Sequence, residues 1–78
     1  MKDSIKLLDV VALTVDLPEH NLWYGQVGTV VEILANGNAF EVEFSYSDGH
    51  TYASIGLSPD QIMILYYEPL LSRELVSA

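Results

Sequence analysis

Apolar and polar residues alternate along two neighbouring stretches in the middle of the chain, residues 29–34 and 39–44. Alternation with a period of two predicts strands that bury one face. Between the two stretches lies Asn36-Gly37, the dipeptide most typical of a type I′ turn. The sequence therefore predicts a β-hairpin in this region.

The position of this turn sets the register of the predicted hairpin. It places Glu32 opposite Glu41, with Glu43 diagonally nearby, and like charges in such positions destabilise a sheet. Residues 7–72 contain no Lys or Arg that would neutralise them. We therefore expect this patch to face a positively charged partner. The other predicted pairs are Leu34 with Ala39, Ile33 with Phe40 and Val31 with Val42.

A second hairpin is predicted around Asp48-Gly49, again with a type I′ turn. It pairs Ser47 with His50 and brings a fourth strand against residues 39–44. Both turns predict the same inward rows, which are Ile33, Phe40 and Leu57, then Val31, Val42 and Ile55, then Thr29, Phe44 and Ala53. On the outer face, beside the glutamates, the sequence predicts Val30, Leu34 and Tyr52.

The remaining elements flank this meander. The alternating pattern of residues 9–17 predicts a first strand with Val11, Leu13 and Val15 on one face. Pro18 is expected to end it. Residues 58–61 predict a turn or one 3₁₀ turn. A short final strand follows at 62–66, and the tail begins at residue 67.

Composition limits the classes of function. The 78 residues carry a formal net charge of −8, and this length fits a single domain, residues 1–78, with its core at about 8–66. The only cations, Lys2, Lys6 and Arg73, lie near the ends, so binding to nucleic acid or to an anionic membrane is not expected. The chain has no Cys and no apolar run of about 18 residues, which favours a cytoplasmic protein without disulfides.

No residue pattern predicts catalysis or a cofactor. The chain has no nucleophile motif and no phosphate-binding glycine loop with a following Lys, and its two histidines, His20 and His50, lack the spacing of a metal site. Glu32, Glu41 and Glu43 leave three interpretations open: a solvated face, a surface for a basic partner, or a cation site. An enzyme is not expected.

An aromatic cluster lies in the long first loop. Trp23 and Tyr24 are side chains that often dominate binding interfaces, and Tyr52, on the outer face beside the glutamates, is a further candidate contact. The alternative is structural, because Leu22 or Trp23 would close the open end of a small barrel.

Five short strands, a long first loop and two tight hairpins predict a mainly β fold. We expect a small, five-stranded, partly open barrel with a short C-terminal tail at about 67–78. Its order resembles the SH3-like barrels, and Gly25-Gln-Val-Gly-Thr-Val-Val31 is similar to the entry to the second strand in many of them.

A second resemblance covers most of the predicted domain. It rests on Asp9-Val-Val-Ala-Leu, Asp16-Leu-Pro-Glu19, the segment 25–31, Glu41-Val-Glu-Phe44 and Pro59-Asp-Gln61. Together these resemble an uncharacterised bacterial family, common in cyanobacteria and described only as a domain of unknown function. The resemblance implies an SH3-like barrel. Some members lie beside genes for toxin-like proteins, which implies an antitoxin or immunity role.

We therefore expect a non-enzymatic protein-binding module that masks a basic partner. In this interpretation Glu32, Glu41 and Glu43 steer the partner, while Trp23 and Tyr24 anchor it. One alternative is an accessory structural or regulatory subunit of a larger assembly, or a module that self-associates through its tail. Another is an acidic cation-binding domain.

Overall fold

The computed structural model describes residues 4–66, and the predicted tail at 67–78 lies outside them. The strands are β1 (Val10–Leu13), β2 (Val27–Leu34), β3 (Ala39–Ser45), β4 (Thr51–Leu57) and β5 (Ile62–Ile64). Three 3₁₀ turns complete the fold, at Pro18–His20, Ala35–Gly37 and Pro59–Gln61. The prediction of a mainly β fold with five strands is confirmed.

All five strands belong to one antiparallel sheet in the order β4-β3-β2-β1-β5. The sheet does not close on itself, so β4 and β5 are its edges within residues 4–66. Over the same residues, no helix has the length and apolarity that crossing a membrane requires.

The core lies on one face of the sheet. Along β3, buried side chains alternate with exposed or half-buried ones. The buried ones are Phe40, Val42 and Phe44. Leu22, from the first loop, is fully buried among them. The other buried members of the core are Val11, Leu13, Leu17, Val30, Leu57 and Ile62.

The first turn has the positive φ values predicted at Asn36 and Gly37, and Ala35 before them also has a positive φ, 50°. Asn36 and Gly37 have φ values of 56° and 90°, as a type I′ turn requires, and the Asn38 N–H donates to the Ala35 carbonyl. The pairs Leu34–Ala39, Ile33–Phe40 and Glu32–Glu41 form as predicted.

Farther from this turn the predicted register is wrong. A β-bulge at Val31 inserts one residue into β2, so Val42 pairs with Val30 and Glu43 pairs with Thr29. Such a bulge puts two residues opposite one and exchanges the faces of those that precede it. Val30 is consequently fully buried, against the prediction of an outward side chain, and Val31 is 38% exposed.

The second turn also differs from the prediction. Within residues 46–50 only Gly49 has a positive φ, 95°, whereas a type I′ turn needs two. The Gly49 N–H donates to the Tyr46 carbonyl, and the Tyr46 N–H donates to the His50 carbonyl, so Ser47 does not pair with His50. The β3–β4 pairs Phe40–Leu57, Val42–Ile55 and Phe44–Ala53 are confirmed.

The outer strands are shorter than predicted. β1 covers Val10–Leu13 rather than 9–17, although Val15 still packs against the core and Leu17 is buried. β5 covers Ile62–Ile64 rather than 62–66. Backbone hydrogen bonds continue just beyond these strands, since the Leu65 N–H donates to the Val10 carbonyl and the Thr14 N–H to the Gln61 carbonyl.

Candidate binding surfaces

Three glutamates form an acidic strip on the sheet face that points away from the core. Glu32 lies directly opposite Glu41, as predicted, and Glu43 follows on β3 two residues later. Glu32 is exposed, while Glu41 and Glu43 are half-buried by their neighbours. We call Glu32, Glu41 and Glu43 the acidic strip.

A neighbouring hydroxyl orients one of these carboxylates. The Ser54 Oγ on β4 donates to Glu41 Oε2 over 2.7 Å. Ser54 itself pairs with Glu43 in the β3–β4 ladder, so the bond runs diagonally across the exposed face. It draws the Glu41 carboxylate toward β4 and therefore toward the edge of the sheet.

Gly56 leaves room on the same side. It pairs with Glu41, and a Cβ built on it would lie 3.8 Å from Glu41 Oε1 and 4.0 Å from Leu34 Cδ1. These are ordinary van der Waals distances, so a Cβ fits at Gly56 beside both side chains. Glu41 is thus reachable across β4.

No cation in the described part of the chain balances the strip. Lys6 is the only Lys or Arg in residues 4–66, and it precedes β1. The one ion pair in this range joins Asp48 to the His50 ring. Residues 4–66 also contain no group of three or more His, Cys, Asp or Glu side chains placed to hold a metal ion.

Four exposed aromatic side chains form a second surface, which we call the aromatic rim: Trp23, Tyr24, Tyr46 and Tyr52. Their exposed fractions run from 37% for Tyr52 to 70% for Tyr24. The rings of Tyr46 and Tyr52 lie 4.8 Å apart between centroids, tilted by 41°. Aromatic side chains at this exposure suit a contact surface.

Gln26 joins the two halves of the rim. Its Oε1 accepts from the Trp23 N–H over 2.6 Å, and its Nε2 donates to the Tyr52 hydroxyl over 2.9 Å. The loop that carries Trp23 is thereby tied to β4. Sequence reasoning missed this residue because a single Gln in a loop has no pattern that would identify it.

The structure corrects the predicted position of Tyr52. Its ring lies 6.4 Å from the ring of Phe44, between centroids, and Phe44 is fully buried. Tyr52 is the additional residue at the irregularity between the pairs Phe44–Ala53 and Ser45–Thr51, so it does not follow the alternation of β4. It lies on the core side, away from the acidic strip.

Carboxylates flank the rim. Asp16 Oδ1 accepts from the Tyr24 N–H over 2.8 Å. Asp48, in the turn after Tyr46, accepts hydrogen bonds from the backbone N–H and from the ring nitrogen of His50. These bonds, the backbone one above all, lower the pKa of the Asp48 carboxyl below its ordinary value. The rim is therefore both aromatic and anionic.

Trp23 and Tyr24 are exposed, as a contact role requires, but the structure does not join them to the acidic strip. The strip lies on the outer face, and the Tyr46–Tyr52 pair lies on the core side near the opposite end of β3. The sequence-predicted residues thus separate into two surfaces.

A comparison with protein families matches a range that contains all the residues of the acidic strip and the aromatic rim. The model of a family described as a domain of unknown function (DUF4926) matches residues 7–64, which span β1 to β5. No curated protein and no solved structure matches the chain.

Proposed function

We propose that this chain, which belongs to the family described as a domain of unknown function (DUF4926), is a non-enzymatic module that binds a basic protein. The observation that carries this proposal is the Glu32–Glu41 pair with Glu43 beside it. These side chains are held on a rigid sheet without a cation in residues 4–66 to balance them.

The facing glutamates repel each other in the free protein. A like-charge pair directly opposite on two strands destabilises the sheet. A cation of the partner attracts both carboxylates and offsets their repulsion, so the strip favours the complex over the free domain. The net charge of −8 adds long-range attraction, which speeds encounter more than it strengthens the complex.

The finer proposal is an antitoxin or immunity-like role in the bacterial cytoplasm. A small acidic domain that covers a basic surface would block a toxin-like protein without any catalytic group. The absence of Cys supports a reducing compartment, since cytoplasmic proteins seldom depend on disulfides.

Affinity capture from the native lysate, followed by mass spectrometry and repetition with the purified partner, tests the proposal. We expect one basic protein to bind the wild type and to be lost with Glu41→Lys/Glu43→Lys. The single variants Glu43→Lys and Glu19→Lys change the net charge equally, and only Glu43→Lys should weaken capture. Unchanged capture by the double reversal contradicts the proposal.

A second candidate is an accessory subunit of a larger assembly. It is favoured by the aromatic rim, a contact surface separate from the acidic strip, because a domain with two faces can bridge two neighbours. Native mass spectrometry of the captured complex distinguishes them: the subunit role predicts a third component that Trp23→Ser removes while the basic partner stays bound. A binary complex unchanged by Trp23→Ser contradicts this role.

A further inference from the structure

Among residues 4–66, nothing pairs with the outer edge of β4. Within residues 4–66, β4 pairs with β3 only, so the backbone groups on its other side point away from the sheet. Edge strands are normally protected by charges, Pro, a short length or a bulge. The seven residues of Thr51–Leu57 contain no charged residue and no Pro, and the irregularity at Tyr52 leaves residues 53–57 regular.

We propose that the basic partner docks by adding a β-strand to the β4 edge, with Lys or Arg on its outward face and apolar residues on its inward face. The inference rests on the proposed function, since it specifies how the acidic strip is used. Strand addition supplies backbone hydrogen bonds for affinity, and the alternate side chains supply specificity.

The outward face of β4 allows long cationic side chains to reach the strip. Ser54 and Gly56 are the outward residues beside Glu43 and Glu41. An added strand would lie about 10 Å from β3, two strand spacings away. The Glu41 carboxylate shortens that gap, because it leans toward β4 through its bond to Ser54 and has its Oε1 only 3.8 Å from the position of a Cβ on Gly56.

The inward face of β4 favours apolar residues in the added strand. Ala53 and Ile55 are half-buried and pack against the core, and Leu57 is buried. Apolar side chains next to Ile55 would extend the core by one strand. The fit is therefore to a strand whose apolar and cationic residues alternate.

Charge complementarity favours such a partner over the other occupants of this edge. A second copy of the chain carries the same net charge of −8 and presents an uncharged β4, so it brings no cation to the strip. The segment at 67–78 has one Arg against two Glu, and it follows β5, the opposite edge of the sheet.

The test is an NMR titration of the ¹⁵N-labelled full chain with capped synthetic peptides as long as β4. We expect an alternating Val/Lys peptide to shift the β4 amides and slow their hydrogen exchange, and an alternating Val/Glu peptide to bind at least about tenfold more weakly. In an extended peptide the backbone N–H groups of all Val residues point to one side and those of all Lys residues to the other. N-methylation of either set therefore removes the hydrogen-bond donors from one edge of the peptide only. One of these two peptides should lose at least about tenfold in affinity.

Matched variants of the protein test the outward contact. Gly56→Lys supplies an internal cation beside Glu41 and should weaken the Val/Lys peptide about tenfold, as expected if one charged hydrogen bond is lost. Glu19→Gln, in the exposed turn Pro18–His20 away from β4, raises the net charge by the same one unit and should keep the affinity of the wild type.

Several outcomes overturn strand addition. The first is that the Val/Lys peptide does not bind, and the second is that both N-methylated peptides bind equally well. The third is slow hydrogen exchange of the β4 amides in the free chain, either because its own segment covers the edge in a monomer or because the chain forms a dimer. Equal binding of the methylated peptides with continued sensitivity to Glu41→Lys/Glu43→Lys contradicts strand addition and leaves the proposed function standing. Unchanged capture of the natural partner by that double variant contradicts the proposed function itself.

Discussion

Glu32 lies directly opposite Glu41 in the β2–β3 ladder, and the hydroxyl of Ser54 holds the Glu41 carboxylate from the other side. Only one member of the facing pair therefore has a side-chain donor in the described part of the chain. Glu32 is exposed and is the member whose charge can be changed with least disturbance of the sheet.

Glu32→Lys should stabilise the free domain. It replaces a like-charge pair with an opposite-charge pair, and cross-strand pairs of this kind contribute about 0.2–1 kcal/mol. Urea denaturation at low salt measures the gain, which should shrink as salt screens the exposed charges. Glu19→Lys, in the exposed turn Pro18–His20, makes the same change in net charge. An equal gain in both variants would show that overall charge, rather than the facing pair, sets the stability.

Gly28→Ala should destabilise the domain by about 1–3 kcal/mol, the usual cost of overpacking a core. A Cβ on Gly28 would lie 2.7 Å from Val42 Cγ1 and 2.9 Å from the Glu43 carbonyl oxygen. Gly56→Ala is the matched control on β4, since its Cβ meets nothing closer than 3.8 Å, and its free energy of unfolding should stay within about 0.5 kcal/mol of wild type. Similar losses in both variants would contradict the packing argument.

Ser58→Ala should raise the pKa of Asp60 toward its ordinary value. The Ser58 hydroxyl donates to Asp60 Oδ1, and this bond is the first cause of the lowered pKa of that carboxyl. Carboxyl ¹³C shifts measured against pH give the pKa directly. An Asp60 pKa that does not move in Ser58→Ala would contradict this assignment.

His50→Ala should move the pKa of Asp48 only in part. The backbone N–H of residue 50 is the first cause of the lowered Asp48 pKa, and it remains in the variant, whereas the ring contact is lost. The carboxyls of Asp48 and Asp60 both have a lowered pKa in the folded protein, so each stabilises the fold at a pH above its unfolded pKa. That stabilisation is lost as the pH falls through the folded pKa. Full return of the Asp48 pKa in His50→Ala would show that the ring, rather than the backbone, controls it.

Tyr52→Phe should loosen the aromatic rim without unfolding the sheet. It removes the hydroxyl that accepts from Gln26 Nε2, at a cost of about 0.5–1.5 kcal/mol or less for this exposed bond, and it keeps the ring contacts with Phe44 and Tyr46. Faster amide exchange at residues 23–26 measures the release of the loop. Tyr46→Phe keeps the Gln26 bridge and serves as control; equal loosening in both would contradict a role for the bridge.

The sequence by itself determined the hairpin around Asn36-Gly37 and the facing pair Glu32–Glu41. Turn chemistry is local, and within a few residues of the turn the register follows from it without knowledge of the rest of the chain. The inward row of β3 was equally determined, because Phe40, Val42 and Phe44 alternate with Glu41 and Glu43 and only one face suits burial.

Only the tertiary structure decided which of Val30 and Val31 enters the core. The two side chains are chemically identical, so neither face is preferred by composition. Val30 is held by the residues just before β1, since its N–H donates to the Asp9 carbonyl and its carbonyl accepts from the Leu8 N–H. The bulge, the exclusion of Tyr52 from the acidic face and the bridge made by Gln26 depend likewise on contacts between residues distant in sequence, and for that physical reason no local pattern predicts them.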